Sequence, residues 1–391
     1  MTTPPPSAAG CRTAYQVVVV DECWDNLEQF ARALHGRGVR VLWLQLGGDA
    51  WRRRRYRWTS PWAIQVPDPA QLKEILVGLD TTELLDVVAV EHRLPVVVDA
   101  LDREGTPVAV REQLRRRLAA SDKVEVAQAL ARVGVDVPTI VTVDPDRADL
   151  ALAEAELTLG FPFMVKGDAG AGGDAVHLVG DAAGFHGAVA AIRDRYGVFA
   201  QALVAGSNER FVAAVDRSGA VLQSLMYVAG RVGDDWAKPP NIVSQVDRPD
   251  LREIGQRVIA TLGVTGLVNV ETMRDQAGRQ FVIDVNPRPW GTFLAWRWAG
   301  VDFIDGYLAG LGLAPVPSDR VRPGAVLEVF PTFHLTVAGQ HPLSGSLRFL
   351  KAWYPHARSM GSAYGSSSAL QFVDHLVRTR ATRRRSAAAK D

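Results

Sequence analysis

The chain has 391 residues, 47% hydrophobic and 22% charged, with 44 Lys and Arg against 43 Asp and Glu. At about 150 residues per domain this is two to three domains of an ordinary globular protein, and the net charge of +1 excludes a global field steering it to nucleic acid or lipid. No run of apolar residues is long enough to span a membrane, and two cysteines, Cys11 and Cys23, cannot build a disulfide scaffold and fit a reducing cytoplasm.

Residues 1–14 open with a Pro/Ala/Ser-rich stretch that lacks the order of a signal peptide and reads as a loose tail. Val17–Val20, a four-valine run, predicts a strand buried on both faces. Leu27, Phe30, Ala31 and Leu34 then recur at helical spacing over Asp25–His35, closed by Gly36 and Gly38, before the apolar run Val39–Leu44. Strand, helix and strand make a βαβ unit and predict a parallel sheet. A helix near Ala70–Leu79, a strand over Asp86–Val90 and a helix near Val96–Glu104 continue it. The first turn, Asp21-Glu22-Cys23-Trp24, holds no glycine, so a dinucleotide pyrophosphate cannot approach the backbone there. Arg52–Arg55, between Trp51 and Trp58, can grip phosphate or carboxylate; a solvated loop with aromatic anchors is the plainer reading.

A second domain is predicted to start near residue 119. Asp122-Lys-Val-Glu125 reads as a capping box, Val126, Leu130 and Val133 follow on one helical face, and Gly134 and Pro138 stop the helix. Strands are predicted over Phe161–Lys166, Ala175–Val179, Val198–Val204, Phe211–Asp216 and Val221–Tyr227. Asp250-Leu-Arg-Glu253, a second capping box, opens a helix to about Leu262. Strands over Gly266–Thr272 and Phe281–Val285 flank turn residues Asp275–Arg279. Beyond Pro317 the pattern weakens, Gly361–Ser368 is rich in Gly and Ser, and the basic end after Arg380 reads as a solvated tail. The organisation expected is therefore a tail (1–14), a Rossmann-like domain (15–118), a second α/β region (119–316) and an extension (317–391).

The last strand pair carries the sharpest chemical signal. Pairing centred near residue 277.5 sets Glu271 opposite Asp284, with side chains about 5 Å apart, and Asn286 lies two residues on, on the same face. Val270, Ile283 and Val285 are expected to turn into the core. Two carboxylates at that distance repel unless a cation lies between them, and an oxygen-only set selects Mg²⁺, with Mn²⁺ the alternative. Gly170-x-Gly172-x-x-Ala175 loosely satisfies the dinucleotide fingerprint, but Ala175-Val-His-Leu-Val179 alternates as a strand does. The glycine stretch is then a hairpin loop whose N–H groups can cradle phosphates, with Lys166 ending the strand before it. Lys123 stands in the first turn of its helix, where a cation is disfavoured unless an anion is nearby. Gln201-Ala-Leu-Val-Ala-Gly206 can offer backbone groups to an adenine edge, and Glu209 a carboxylate to a ribose.

In this order the pieces resemble the ATP-grasp superfamily of carboxylate ligases, over about Val17–Leu313. The resemblance implies a Rossmann-like pre-ATP-grasp domain followed by two α+β subdomains that clasp ATP. It implies Lys123 and Lys166 at the nucleotide phosphates, Ala169–Gly173 with Gly170, Gly172 and Gly173 as the lid, and Gln201, Ala202, Leu203 and Val204 as the adenine hinge. Glu209 falls at the ribose, Glu271, Asp284 and Asn286 at magnesium, and Arg288 at the transferred phosphate and the carboxylate under attack. The ending Asn286-Pro-Arg-Pro-Trp-Gly291 is similar to a branch of ATP-dependent carboligases. Three positions depart from the pattern: Ala202 stands where an acid is common, Gly167 where proline is common, and Asp284 where glutamate is more frequent.

The activity implied is ATP- and Mg-dependent joining of a carboxylate to an amine through an acyl phosphate, in the cytoplasm, on small molecules rather than nucleic acid or membranes, by a family often dimeric. A nucleotide-binding module without chemistry is the alternative, and a dinucleotide oxidoreductase through Gly170–Ala175 a weaker one, which a strand after Gly173 would end. Trp290, Trp296, Trp298 and Arg52–Arg55 are the expected places of selectivity.

Overall fold

The computed structural model describes residues 14–22, 25–48, 53–54, 59–170, 173, 175–232, 240–318, 321–360, 368–370, 372–373 and 375. Arg52 and Arg55, the lid residue Gly172, all of the Gly/Ser stretch 361–368 but Ser368, and the basic end lie outside them.

Four parallel strands form the first sheet: β1 (Val17–Asp21), β2 (Val41–Leu46), β3 (Ile64–Val66) and β4 (Asp86–Ala89), in the order β3-β2-β1-β4. The valine run is wholly buried because both faces of this sheet are covered. On one face Val18, Val20, Leu42 and Leu44 meet α2 (Ala70–Val77), α3 (Leu94–Leu101) and α4 (Val108–Ala119). On the other, Val17, Val19 and Trp43 share a core with α1 (Asp25–Gly36), and that core continues through Val212, Trp290, Phe293, Trp296 and Tyr307. The two expected domains thus share one apolar interior.

Next, α5 (Lys123–Arg132) begins with Asp122 accepting the Val124 and Glu125 N–H groups, each at 3.0 Å. A small antiparallel sheet follows, in the order β5-β8-β6-β7, from β5 (Ile140–Val143), β6 (Phe163–Gly167), β7 (Val176–Val179) and β8 (Val198–Ala202). It packs on α6 (Ala148–Leu159) and α7 (Ala182–Ile192). The strand β7 directly after the glycine loop removes the oxidoreductase reading, which needs a helix there.

The large sheet has six antiparallel strands in the order β13-β12-β9-β10-β11-β14. They are β9 (Gly206–Val215), β10 (Val221–Gly230), β11 (Ile242–Val246), β12 (Gly266–Asp275), β13 (Gln280–Asn286) and β14 (Val326–Glu328). Phe211, Ala213, Val268, Val270 and Val282 face α5 and α8 (Pro249–Leu262). Val212, Ala214 and Leu267 face α9 (Phe303–Gly310) and the parallel sheet. Because β14 completes this sheet, the boundary expected at 317 does not fall at a break in structure. The second capping box is also corrected: α8 starts at Pro249, whose fixed φ suits a first helical position, so Asp250 lies within the first turn and pairs with Arg274. Two further helices, α10 (Thr332–Gln340) and α11 (Pro342–Met360), close the described chain.

Candidate active site

The β12–β13 hairpin contains one irregularity that decides where its side chains point. From the turn, Arg274 pairs with Gln280 and Thr272 with Val282, but Glu271 pairs with Asp284, leaving Ile283 as an extra residue. A bulge shifts the alternation by one position. Val282 and Val285, three apart, therefore both reach the core, and Ile283 does not. It is half-buried and lines a cleft with Lys123, Phe199, Gln201 and Asp284, which corrects its expected core placement. The pairing of Glu271 with Asp284 matches the expectation, with the bulge as its cause.

Around this pair the structure collects several expected residues. Asn286 Nδ2 lies 3.2 Å from Asp284 Oδ2 and 3.4 Å from Glu271 Oε1. Lys123 Nζ is 3.5 Å from Asp284 Oδ2, and the Lys123 N–H donates to the Asp168 carbonyl at the head of the glycine loop. Lys166, 8% exposed, donates to Gln201 Oε1 at 2.6 Å. Burial pushes the Lys166 ammonium down to about 8, with Lys123 adding to the effect and Asp284 and Glu271 opposing it. Burial would raise the Asp284 carboxyl, but Lys123, Lys166, the Asn286 amide and Arg288 together hold it below its ordinary value. Gly170 and Gly173 have φ of 114° and 83°, a conformation that side chains resist, so the loop needs glycine there.

Two residues escaped the sequence reading. Arg210, opposite Glu271 on β9, binds Glu271 Oε2 at 2.9 Å. Asn269 donates to Glu271 Oε1 at 3.0 Å, while its own Oδ1 is buried with no hydrogen-bond partner. Cross-strand register from Glu271 and Asn286 was the signal that could have found both.

Other expected residues fall elsewhere. Glu209 pairs with Thr272, one step out of phase with Glu271, so it points to the opposite face of the sheet. Its carboxylate, 1% exposed, accepts from Arg274 Nε at 3.2 Å and Gln280 Nε2 at 3.1 Å. The neighbour on the Glu271 face at that end is Asn208. In the hinge, the Ala202 N–H is taken by the Thr139 carbonyl at 2.9 Å, whereas Leu203 is exposed. Trp296 lies in the core against Tyr227, Trp290 is buried against Phe303, and Trp298 is 40% exposed beside His356.

Arg288 is held tightly. Nε donates to Glu91 Oε1 at 2.5 Å, Nη2 to Asn286 Oδ1 at 3.2 Å and Nη1 to the Pro289 carbonyl at 3.1 Å. Glu91 lies in the short turn Glu91–Arg93 at the carboxyl end of β4, so the parallel sheet reaches directly into the site. Asn26 of α1 adds a second link, donating to the Pro289 carbonyl at 2.6 Å.

Among the described residues no group of three His, Cys, Asp or Glu side chains gathers as metal ligands; the candidate set is two carboxylates and one amide oxygen. That chemistry fits a hard cation. The carboxylates are balanced by Arg210, Lys123 and the Asn286 N–H groups, and the Asn286 oxygen accepts from Arg288.

A parallel sheet, a small antiparallel sheet with a glycine hairpin and a large sheet bearing paired carboxylates together make an ATP-grasp fold. Residues 120–292 match the model of the ATP-grasp domain, so this part of the chain belongs to that family. An N5-carboxyaminoimidazole synthetase from Staphylococcus aureus, solved with ADP, superposes with a TM-score of 0.62 at 14% identity, over 82% of this chain and 84% of that one. The carboxyaminoimidazole ribonucleotide synthase from Aspergillus clavatus, complexed with ATP, gives 0.62 at 14% identity over 80% and 81%. An L-amino acid ligase from Bacillus licheniformis gives 0.56 at 17% identity over 76% and 75%. At these identities the likeness is one of fold. No curated protein matches the chain in sequence.

Proposed function

We propose that the protein is an ATP-dependent ligase that joins a substrate carboxylate to an amine. The observation that carries this reading is the convergence of Lys123, Glu271, Asp284, Asn286 and Arg288 at one junction, with Gln201, the acceptor for Lys166, lining the same cleft as Asp284. Nucleotide binding alone does not call for so complete a set.

Glu271, Asp284 and Asn286 would hold a divalent cation, which when bound supplies charge neutralisation at phosphate oxygens. Lys166 and the glycine loop neutralise charge that develops as the γ-phosphoryl of ATP leaves. The substrate carboxylate oxygen takes that phosphoryl, giving an acyl phosphate and ADP. The amine then attacks the acyl carbon, the C–N bond forms, phosphate departs, and the amine loses a proton. Arg288, buried and preorganised by Glu91, stabilises the oxyanion of the tetrahedral intermediate. Closure of the glycine loop excludes water, which would otherwise hydrolyse the acyl phosphate.

The test is ADP release by the purified protein across carboxylate and amine pools. Release that needs both a carboxylate and an amine, and is lost in Asn286→Ala and Glu271→Gln, supports the assignment. Release unchanged in both variants contradicts it.

A further inference from the structure

The helix α11 (Pro342–Met360) exposes a continuous apolar stripe that the ligase reading does not use. Leu343 is 86% exposed, Leu347 69%, Leu350 54% and Tyr354 64%. Steps of four, three and four residues put them on one line along the helix. The opposite face is seated on α10. Phe349 is buried against Phe330, and Gly345 lies so close that a Cβ there would meet the Ala338 nitrogen at 2.6 Å. The orientation of the stripe is therefore fixed by packing.

The charge on the helix itself has one sign, although Arg348 is paired with Glu328 of β14. Arg348, Lys351 and Arg358 are exposed beside it, and residues 342–360 contain no Asp or Glu. Residues 341–391 hold nine Lys and Arg against two Asp, a surplus of seven, so with +1 overall the rest of the chain carries −6. The near-neutral total conceals a stretch of sequence with a positive surplus, of which the helix with the exposed leucines is the described part.

We propose that α11 docks the protein on an anionic lipid surface. Leu343, Leu347, Leu350 and Tyr354 enter the boundary between headgroups and acyl chains, while Lys351 and Arg358 extend to the headgroup phosphates. The protein lies on the bilayer and does not cross it; among the described residues no helix is long and apolar enough to span one. Other occupants fit less well. A second copy would bring an identical stripe with cations facing cations and no acid on α11 to offset them. Nucleic acid offers phosphates but nothing for a row of leucines. The end of the chain, 376–391, has only Leu376 and Val377 as large apolar residues and cannot cover four.

The test uses the full chain in co-sedimentation with vesicles of phosphatidylcholine alone or mixed with phosphatidylserine. The expected result is pelleting with the mixed vesicles, weakened by high salt, and at least about tenfold weaker partition for Leu347→Glu/Leu350→Glu. Lys351→Glu/Arg358→Glu, surface changes that leave the apolar stripe intact, should lose the phosphatidylserine dependence. Failure to pellet with mixed vesicles, or equal partition of the leucine variant and the unmodified protein, overturns the proposal. A dimer in light scattering that the leucine variant converts to monomer would assign the stripe to a second copy, and duplex DNA binding that survives the leucine changes would assign the cations to nucleic acid; either also overturns it.

Discussion

Arg288 Nε lies 2.5 Å from Glu91 Oε1, although 197 positions separate the two residues. The other Glu91 oxygen is buried with no hydrogen-bond partner, so the carboxylate is committed to this one guanidinium. Glu91→Gln keeps the shape and removes the charge. It still offers Arg288 a hydrogen-bond acceptor but no counter-charge, so it is expected to lose part of the stability that Glu91→Ala loses and to lower turnover by about tenfold, because Arg288 is held less firmly. Glu91→Ala leaves a buried cation without its counter-charge, a loss of about 3–5 kcal/mol, and should melt several degrees lower. Thermal scans beside turnover measurements separate the two effects.

A second buried ion pair tests architecture alone. Arg117 donates to Asp86 Oδ1 at 2.7 Å, and the Tyr307 hydroxyl donates to Asp86 Oδ2 at 2.6 Å. Arg117 also reaches the Thr265 carbonyl, so α4, β4, α9 and the approach to β12 meet at one carboxylate. Asp86→Ala removes the acceptor from two buried donors and is expected to destabilise by about 3–5 kcal/mol. Asp86→Asn should recover part of this. Urea denaturation followed by tryptophan fluorescence measures both.

Two helical glycines should respond in opposite directions to alanine. A Cβ at Gly255 would lie 2.2 Å from the Phe211 ring, whereas at Gly187 it meets nothing within 4 Å. Gly187→Ala is expected to stabilise by about 0.5–1 kcal/mol through helix propensity. Gly255→Ala gains the same term but incurs an overpacking cost of about 1–3 kcal/mol, so its melting temperature should fall.

Stability should also depend on acid through the C-terminal helices. Burial, with His356 and Arg348 nearby, pushes the His334 imidazole down from 6.5 to about 4, and burial lowers His356 as well. The unfolded chain binds these protons more readily than the folded one. The stabilisation is therefore complete above pH 6.5 and is lost as pH falls toward 4. His334→Phe should flatten the melting temperature against pH across that window, measured by calorimetry.

Much of this architecture was legible from the sequence because the central strands of the parallel sheet begin as continuous apolar runs, Val17–Val20 and Val41–Leu44, as a strand covered on both faces requires. The carboxylate pair was legible from its hairpin turn. Ile283 was not, since a bulge has no compositional signature and the residue is as apolar as its core neighbours. Glu209 misled for the same reason: a one-step change of phase moves a side chain through the sheet, and Asn208 and Glu209 are both polar. The strand β5 and helix α6 went unassigned because Ile140–Val143 is four residues long and Ala148–Leu159 is apolar nearly all round. Helix α4 hid behind its arginines, one of which, Arg117, proves to be buried.

The contact between Lys166 and Gln201 has a consequence for how a nucleotide enters. Every cation at the junction already has a protein oxygen beside it, so an arriving triphosphate exchanges partners rather than meeting bare charge. Such a swap yields little net heat and damps the response of affinity to ionic strength. It also keeps a pocket rich in lysine and arginine from trapping whatever phosphate the surroundings supply.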